Sequence, residues 1–91
     1  MATPSPPKIY FAKALRFIRV EAEMTQEELA LEIKMAPSEI SIFERGKRDL
    51  QLGTMKRLAK GLGVPCWQVV WLADQLESGV RADDLHWPPP G

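Results

Sequence analysis

From Ile9 to about Glu23 the apolar residues Phe11, Leu15, Ile18 and Ala22 recur at i, i+4, i+7 and i+11. That spacing lines one face of a helix. Lys13, Arg16 and Arg19 surround the stripe, and Phe17 falls off it, either as a helix-packing residue or as an exposed one. The stretch TQEELALEIKMAPSEISIFERGKR, Thr25 to Arg48, follows. Thr25 can cap a helix and Glu28, three positions on, can complete a capping box. Leu29, Ala30 and Ile33 form a narrow apolar stripe, which predicts a helix from Gln26 to about Lys34. Pro37 lacks an N–H and has its φ preset, so it suits the first turn of a second short helix ending near Arg45. Ile40 and Phe43 give that helix its buried side, Lys34-Met35-Ala36 makes the turn, and Gly46 ends the unit. Leu52, Met55, Leu58, Ala59 and Leu62 predict a further helix stopped by Gly63. The last helix, Cys66 to about Ser78, is apolar nearly all round. The pattern thus predicts an arm at 1–8, a five-helix domain at 9–78 and a proline-rich tail at 79–91.

Two short helices joined at this spacing have the layout of a helix-turn-helix unit, whose second helix can enter the DNA major groove. Net charge sharpens this only locally. The chain of 91 residues carries twelve Lys and Arg against twelve Asp and Glu, for zero overall. From Lys8 to Gly63 there are eleven basic and eight acidic residues, a balance of +3, and from Val64 onward one and four, a balance of −3. Contact with nucleic acid must therefore come from clustered side chains. No apolar run approaches the roughly 20 residues that span a bilayer, and MATPSPPK is not a secretory signal. The single cysteine excludes an internal disulfide and a cysteine-based metal cluster. These features predict a cytoplasmic protein with no cofactor.

In order and spacing, TQEELA (Thr25–Ala30), PSEIS (Pro37–Ser41), ERGKR (Glu44–Arg48) and LAKGLGV (Leu58–Val64) resemble the XRE family of Cro and phage-repressor type helix-turn-helix proteins. The resemblance covers about 55 residues, from Leu15 to Val69. It implies an all-α, compact five-helix lambda-repressor-like domain, a homodimer that binds operator DNA in bacterial cytoplasm or nucleoid, encoded by a bacterium or a phage. Carried over by motif, Gln26 contacts a phosphate or base edge, and Pro37, Ser38, Glu39, Ser41 and Ile42 form the outward or leading side of the recognition helix. Ser38 and Ser41 can donate or accept, Glu39 can accept from a cytosine amino group, and Ile42 offers apolar contact to a thymine methyl. Arg45, Lys47 and Arg48 reach phosphates, which set affinity and register. Arg19 and Glu44 match a structural ion pair. The chain departs from the family at Lys34, where glycine is usual. Lysine there must turn left-handed at about 1–2 kcal/mol, or the turn differs. Ala36 replaces a capping Ser or Thr, and Ile42 an amide or basic side chain.

Other candidates have simpler readings. His86 has no partner at ligand spacing, so no metal site is expected. Cys66 has no activating base or second thiol. Arg16 fits a solvated face or a phosphate contact equally, and Lys56, Arg57 and Lys60 form a solvated basic face. No nucleophile with a base and no phosphate-cradling glycine loop is present, so the chain is not read as an enzyme. Trp67, Val70 and Trp71, with Trp87 from the tail, exceed what one small core needs. They predict a twofold dimer interface, the alternative being a tail folded back over these residues in a monomer. The 28 residues after Gly63 have room for one helix and a tail. That favours regulation by dimerisation or a partner over small-molecule induction. The functional expectation is a dimeric repressor on an inverted-repeat operator. Its rivals are a helix-turn-helix scaffold for protein binding and an antitoxin whose C-terminal segment holds a toxin.

Overall fold

The computed structural model describes residues 6–89, which form five helices and, among the described residues, no strand. In chain order they are α1 (Pro6–Glu21), α2 (Gln26–Ile33), α3 (Pro37–Glu44), α4 (Leu52–Gly61) and α5 (Cys66–Glu77), followed by a 3₁₀ turn at Ala82–Asp84. The five-helix, all-α expectation holds. Residues 1–5 of the expected arm, and residues 90–91, lie outside the described residues. Residues 6–8 belong to the first turn of α1, three positions earlier than periodicity places it. Prolines there cost little, because the N–H groups of a first turn have no intrahelical acceptor to lose.

Each helix closes in the same way. A residue in the left-handed region follows it, and the next N–H reaches back five residues to an otherwise orphaned carbonyl. After α2, Lys34 has φ 58° and ψ 52°, and Met35 N–H donates to the Ala30 carbonyl at 2.9 Å. Of the two possibilities for Lys34, the left-handed one is realised. Its stitching is reinforced by Arg57, whose Nη2 donates to the Ile33 carbonyl at 2.6 Å. After α3, Gly46 has φ +68° and Lys47 N–H donates to the Ile42 carbonyl at 3.2 Å. Glycine suits that position without steric cost. The start of α2 carries the expected capping box: Glu28 N–H donates to Thr25 Oγ1 at 3.0 Å and Thr25 N–H to Glu28 Oε1 at 2.8 Å.

The core runs through all five helices and joins Leu15 and Ile18 of α1 to Leu29, Ile40, Phe43, Leu58, Val69 and Leu72. α1 packs chiefly along α5, while α2 sits between α3 and α4. The closest approach is at Gly61, where a Cβ would overlap Ile33 Cγ2 and meet Leu29 Cδ1 at 2.9 Å. Hydrogen there lets α4 lie against α2. Two apolar positions of the pattern turn outward. Ala22 lies beyond the end of α1 and is exposed. Leu52, at the first position of α4, is 63% exposed because the helix has not yet reached the core. In α3 only Ile40 and Phe43 are buried, so two side chains and one ion pair fix how that helix sits.

Candidate nucleic-acid interface

The outward side of α3 follows from its period. With Ile40 and Phe43 inward, Pro37 and Ser38 are exposed and Ser41 and Ile42 half-buried at the rim. Ala36 cannot cap α3, having no side-chain oxygen. Glu39 supplies the reciprocal half of a capping box instead, its Oε1 accepting from Ala36 N–H at 3.2 Å. Its other oxygen, Oε2, lies 3.7 Å from Arg48 Nη1, and the Arg48 guanidinium sits 5.6 Å from the Phe43 ring centroid. Both Glu39 oxygens are thus engaged within the protein. The carboxylate expected to read a base here also holds the start of α3 and lies beside Arg48. Arg45 leans back on its own helix, Nε to the Ser41 carbonyl at 3.4 Å, and Lys47 is exposed.

Glu39, Phe43, Lys47 and Arg48 line a polar recess between α3 and α4 that also takes in Lys8, Gln51, Thr54 and Arg57. Lys8 reaches it from α1, with Nζ 3.3 Å from Asp49 Oδ1. No local sequence signal points to Lys8, because its neighbours in space are distant along the chain. Arg57, on the exposed face expected of it, also ties to the end of α2 through the Ile33 carbonyl.

Beneath the interface lies an anchor. Arg19 grips Glu44 through two parallel hydrogen bonds, Nε to Oε2 at 2.6 Å and Nη2 to Oε1 at 3.0 Å, while Nη1 donates to the Met24 carbonyl at 2.7 Å. The two side chains are 11% and 4% exposed. Hydrogen bonding to Glu44 pushes the Arg19 guanidinium above its already high ordinary value, against the opposing effect of burial. Gln26 joins the pair, its Nε2 donating to Glu44 Oε1 at 3.1 Å. One N–H of this amide is therefore spent inward, and its second N–H and carbonyl oxygen remain for a ligand. In the same turn Thr25 and Glu28 use their N–H groups in the cap, leaving those of Gln26 and Glu27 at the positive end of α2, where an anion binds well.

On α5, Trp67 and Val70 are 50% and 44% exposed, and Trp71 is half-buried against the core. The ring of Trp87 meets Phe17 edge-on, with centroids 6.1 Å apart and planes at 83°. The tail thus folds back on α1, and Trp87, expected at a dimer face, has an aromatic partner in its own chain. Phe17, off the α1 stripe, is the packing residue that receives it.

A family model described as helix-turn-helix matches residues 15–66. The chain is 35% identical over 60 residues to the cryptic phage CTXphi transcriptional repressor RstR of Vibrio cholerae, covering 66% of this chain and 54% of that protein. It is 36% identical over 58 residues to control protein C.BamHI of Bacillus amyloliquefaciens, covering 63% and 72%. The match thus spans only about half the length of the repressor. Among solved structures, a mutant of the restriction-modification controller protein C.Esp1396I superposes with a TM-score of 0.77 at 27% identity, over 81% of this chain and 99% of that one.

Proposed function

The chain belongs to the helix-turn-helix family of Cro and phage-repressor type, and from that premise we propose that it is a sequence-specific, double-stranded-DNA-binding transcription regulator acting as a dimeric repressor. The observation that carries this reading is the arrangement of α3: Pro37 and Ser38 are exposed with Ser41 and Ile42 at the rim, Lys47 and Arg48 line the recess beyond its end, and Arg45 is exposed at its C-cap. Ser38 and Ser41 select bases by hydrogen bonding and Ile42 by apolar contact. Gln26, Lys47 and Arg45 hold phosphates, as do the free N–H groups of α2. Glu39 contributes through Arg48 rather than by touching a base. A second copy joined through Trp67, Val70 and Trp71 would set two half-sites about one helical turn, ~34 Å, apart on an inverted repeat. Binding in place of catalysis, without a cofactor and in the cytoplasm, accords with this reading. No helix among the described residues is long and apolar enough to cross a membrane.

Selection of bound sequences from random duplex DNA over a range of salt tests it. The expected outcome is one palindromic site. Ser38→Ala should change its preferred bases, and Lys47→Ala should weaken binding to every sequence and lower the salt slope by about 1. No sequence-selective complex even at low salt would refute the reading. That result would favour a protein-binding scaffold or an antitoxin, the alternatives supported by the neutral net charge and by the exposed Trp67 and Val70.

A further inference from the structure

A cavity of about 380 Å³, separate from the recess between α3 and α4, lies between α1, the end of α5 and the folded-back C-terminal segment, with Glu44 at its rim. Its floor is a single face of α1: Lys13, Arg16, Phe17 and Val20 fall at i, i+3, i+4 and i+7. Leu76 and Ala82 form the opposite wall. Val20 is 52% exposed there, more than a valine beside the core normally is. The volume is within the range of small-molecule sites, about 300–1,000 Å³.

Charge decides what fits. Arg16 makes no ion pair among the described residues, and Lys13 makes none either, its Nζ resting 5.5 Å from the Tyr10 ring. Of the two acids at the rim, Glu44 is neutralised by Arg19. Glu21 stands five residues beyond Arg16, about 7 Å further along the helix axis. The cleft is therefore positive at one end and apolar in the middle, with a carboxylate at the far end that repels a second negative charge.

The geometry points to a binding site for a small amphipathic monoanion, an aryl or medium-chain alkyl carboxylate, that lays its body on Phe17, Val20 and Leu76 and presents its carboxylate to Arg16. Guanidinium is suited to this partner because its planar fork matches both oxygens. No separate sensing domain is needed, since the folded-back tail supplies the second wall.

The test is an amide-resolved NMR titration of the intact protein with decanoate below its micellar concentration, with decyltrimethylammonium and 1-decanol as cationic and neutral controls. Expected are saturable shifts at Phe17, Val20 and Ala82, at least tenfold tighter for decanoate than for decyltrimethylammonium. Arg16→Ala should weaken decanoate at least fivefold with the thermal midpoint unchanged, and Val20→Glu should abolish its binding. Equal binding of all three probes, or shifts centred on Trp67 and Val70, would overturn the proposal. So would shifts of the Phe17 and Val20 signals with protein concentration alone, which would give this face to a second copy.

Discussion

Replacing Arg19 by alanine should be the most damaging single change on the surface of α1. The side chain is 11% exposed, its partner Glu44 4%, and three of its five N–H groups serve Glu44 twice and the Met24 carbonyl once. Removing one member of a buried ion pair costs about 3–5 kcal/mol, mostly by leaving the other charge uncompensated. The lower half of that range applies, since Arg19 keeps some contact with water and Gln26 still donates to Glu44. A domain of this size holds roughly 5–14 kcal/mol in all. A loss of about 3 kcal/mol should lower the thermal midpoint by roughly 12–24 °C. Urea unfolding followed by circular dichroism should show a lower midpoint with an unchanged slope. Arg19→Met combined with Glu44→Leu should recover much of the loss, though the Met24 carbonyl and the Gln26 amide would lack partners. A cost below about 1 kcal/mol for Arg19→Ala, the worth of a solvent-exposed pair, would refute the anchoring role.

Lys34→Gly should raise stability by up to about 1 kcal/mol, because relief of the left-handed lysine outweighs the added entropy of glycine in the unfolded chain; a lower thermal midpoint would count against it. Gly61→Ala should destabilise by about 1–3 kcal/mol as its methyl forces α4 away from Ile33 and Leu29, again measured by urea unfolding, and a neutral result would mean that α2 yields freely. Trp67→Glu should convert a dimer to a monomer in sedimentation velocity at micromolar concentration and weaken operator binding in parallel. If the wild-type protein sediments only as a species of 10.3 kDa, α5 is not the interface.

The frame of the fold is legible in the chain because its signals are local. Thr25 and Glu28 are three residues apart, Pro37 opens a helix, Gly46 closes one, and Ile40 and Phe43 share a face through the helical period. What escapes is long-range or depends on competition between partners. Nothing in a periodic pattern brings Trp87 to Phe17, Arg57 to the end of α2, or Lys8 to Asp49. The motif marks Glu39 as a reading residue. Its carboxylate turns back because the N–H of the N-cap residue Ala36 lies within its reach, as that of Thr25 does for Glu28, and the Arg48 guanidinium is nearby. Gln26 is divided in the same way: the motif marks it as outward, and Glu44 draws half of its amide inward.

The double engagement of Glu39 bears on how this surface can change. Among the described residues the exposed Ser38 makes no side-chain hydrogen bond, and Ser41 and Ile42 sit at the rim outside the core, so a library randomised at those three positions can explore new target sequences at little cost to folding. Position 39 is different: most replacements there release Ala36 N–H and set Arg48 loose together. Variants evolved toward a new site should therefore change around a retained Glu39, or tolerate Glu39→Gln as the mildest replacement. Where the carboxylate is lost, Ser or Thr at position 36 would offset part of that loss by accepting from the N–H of residue 39, while the N–H of residue 36 would be left to water.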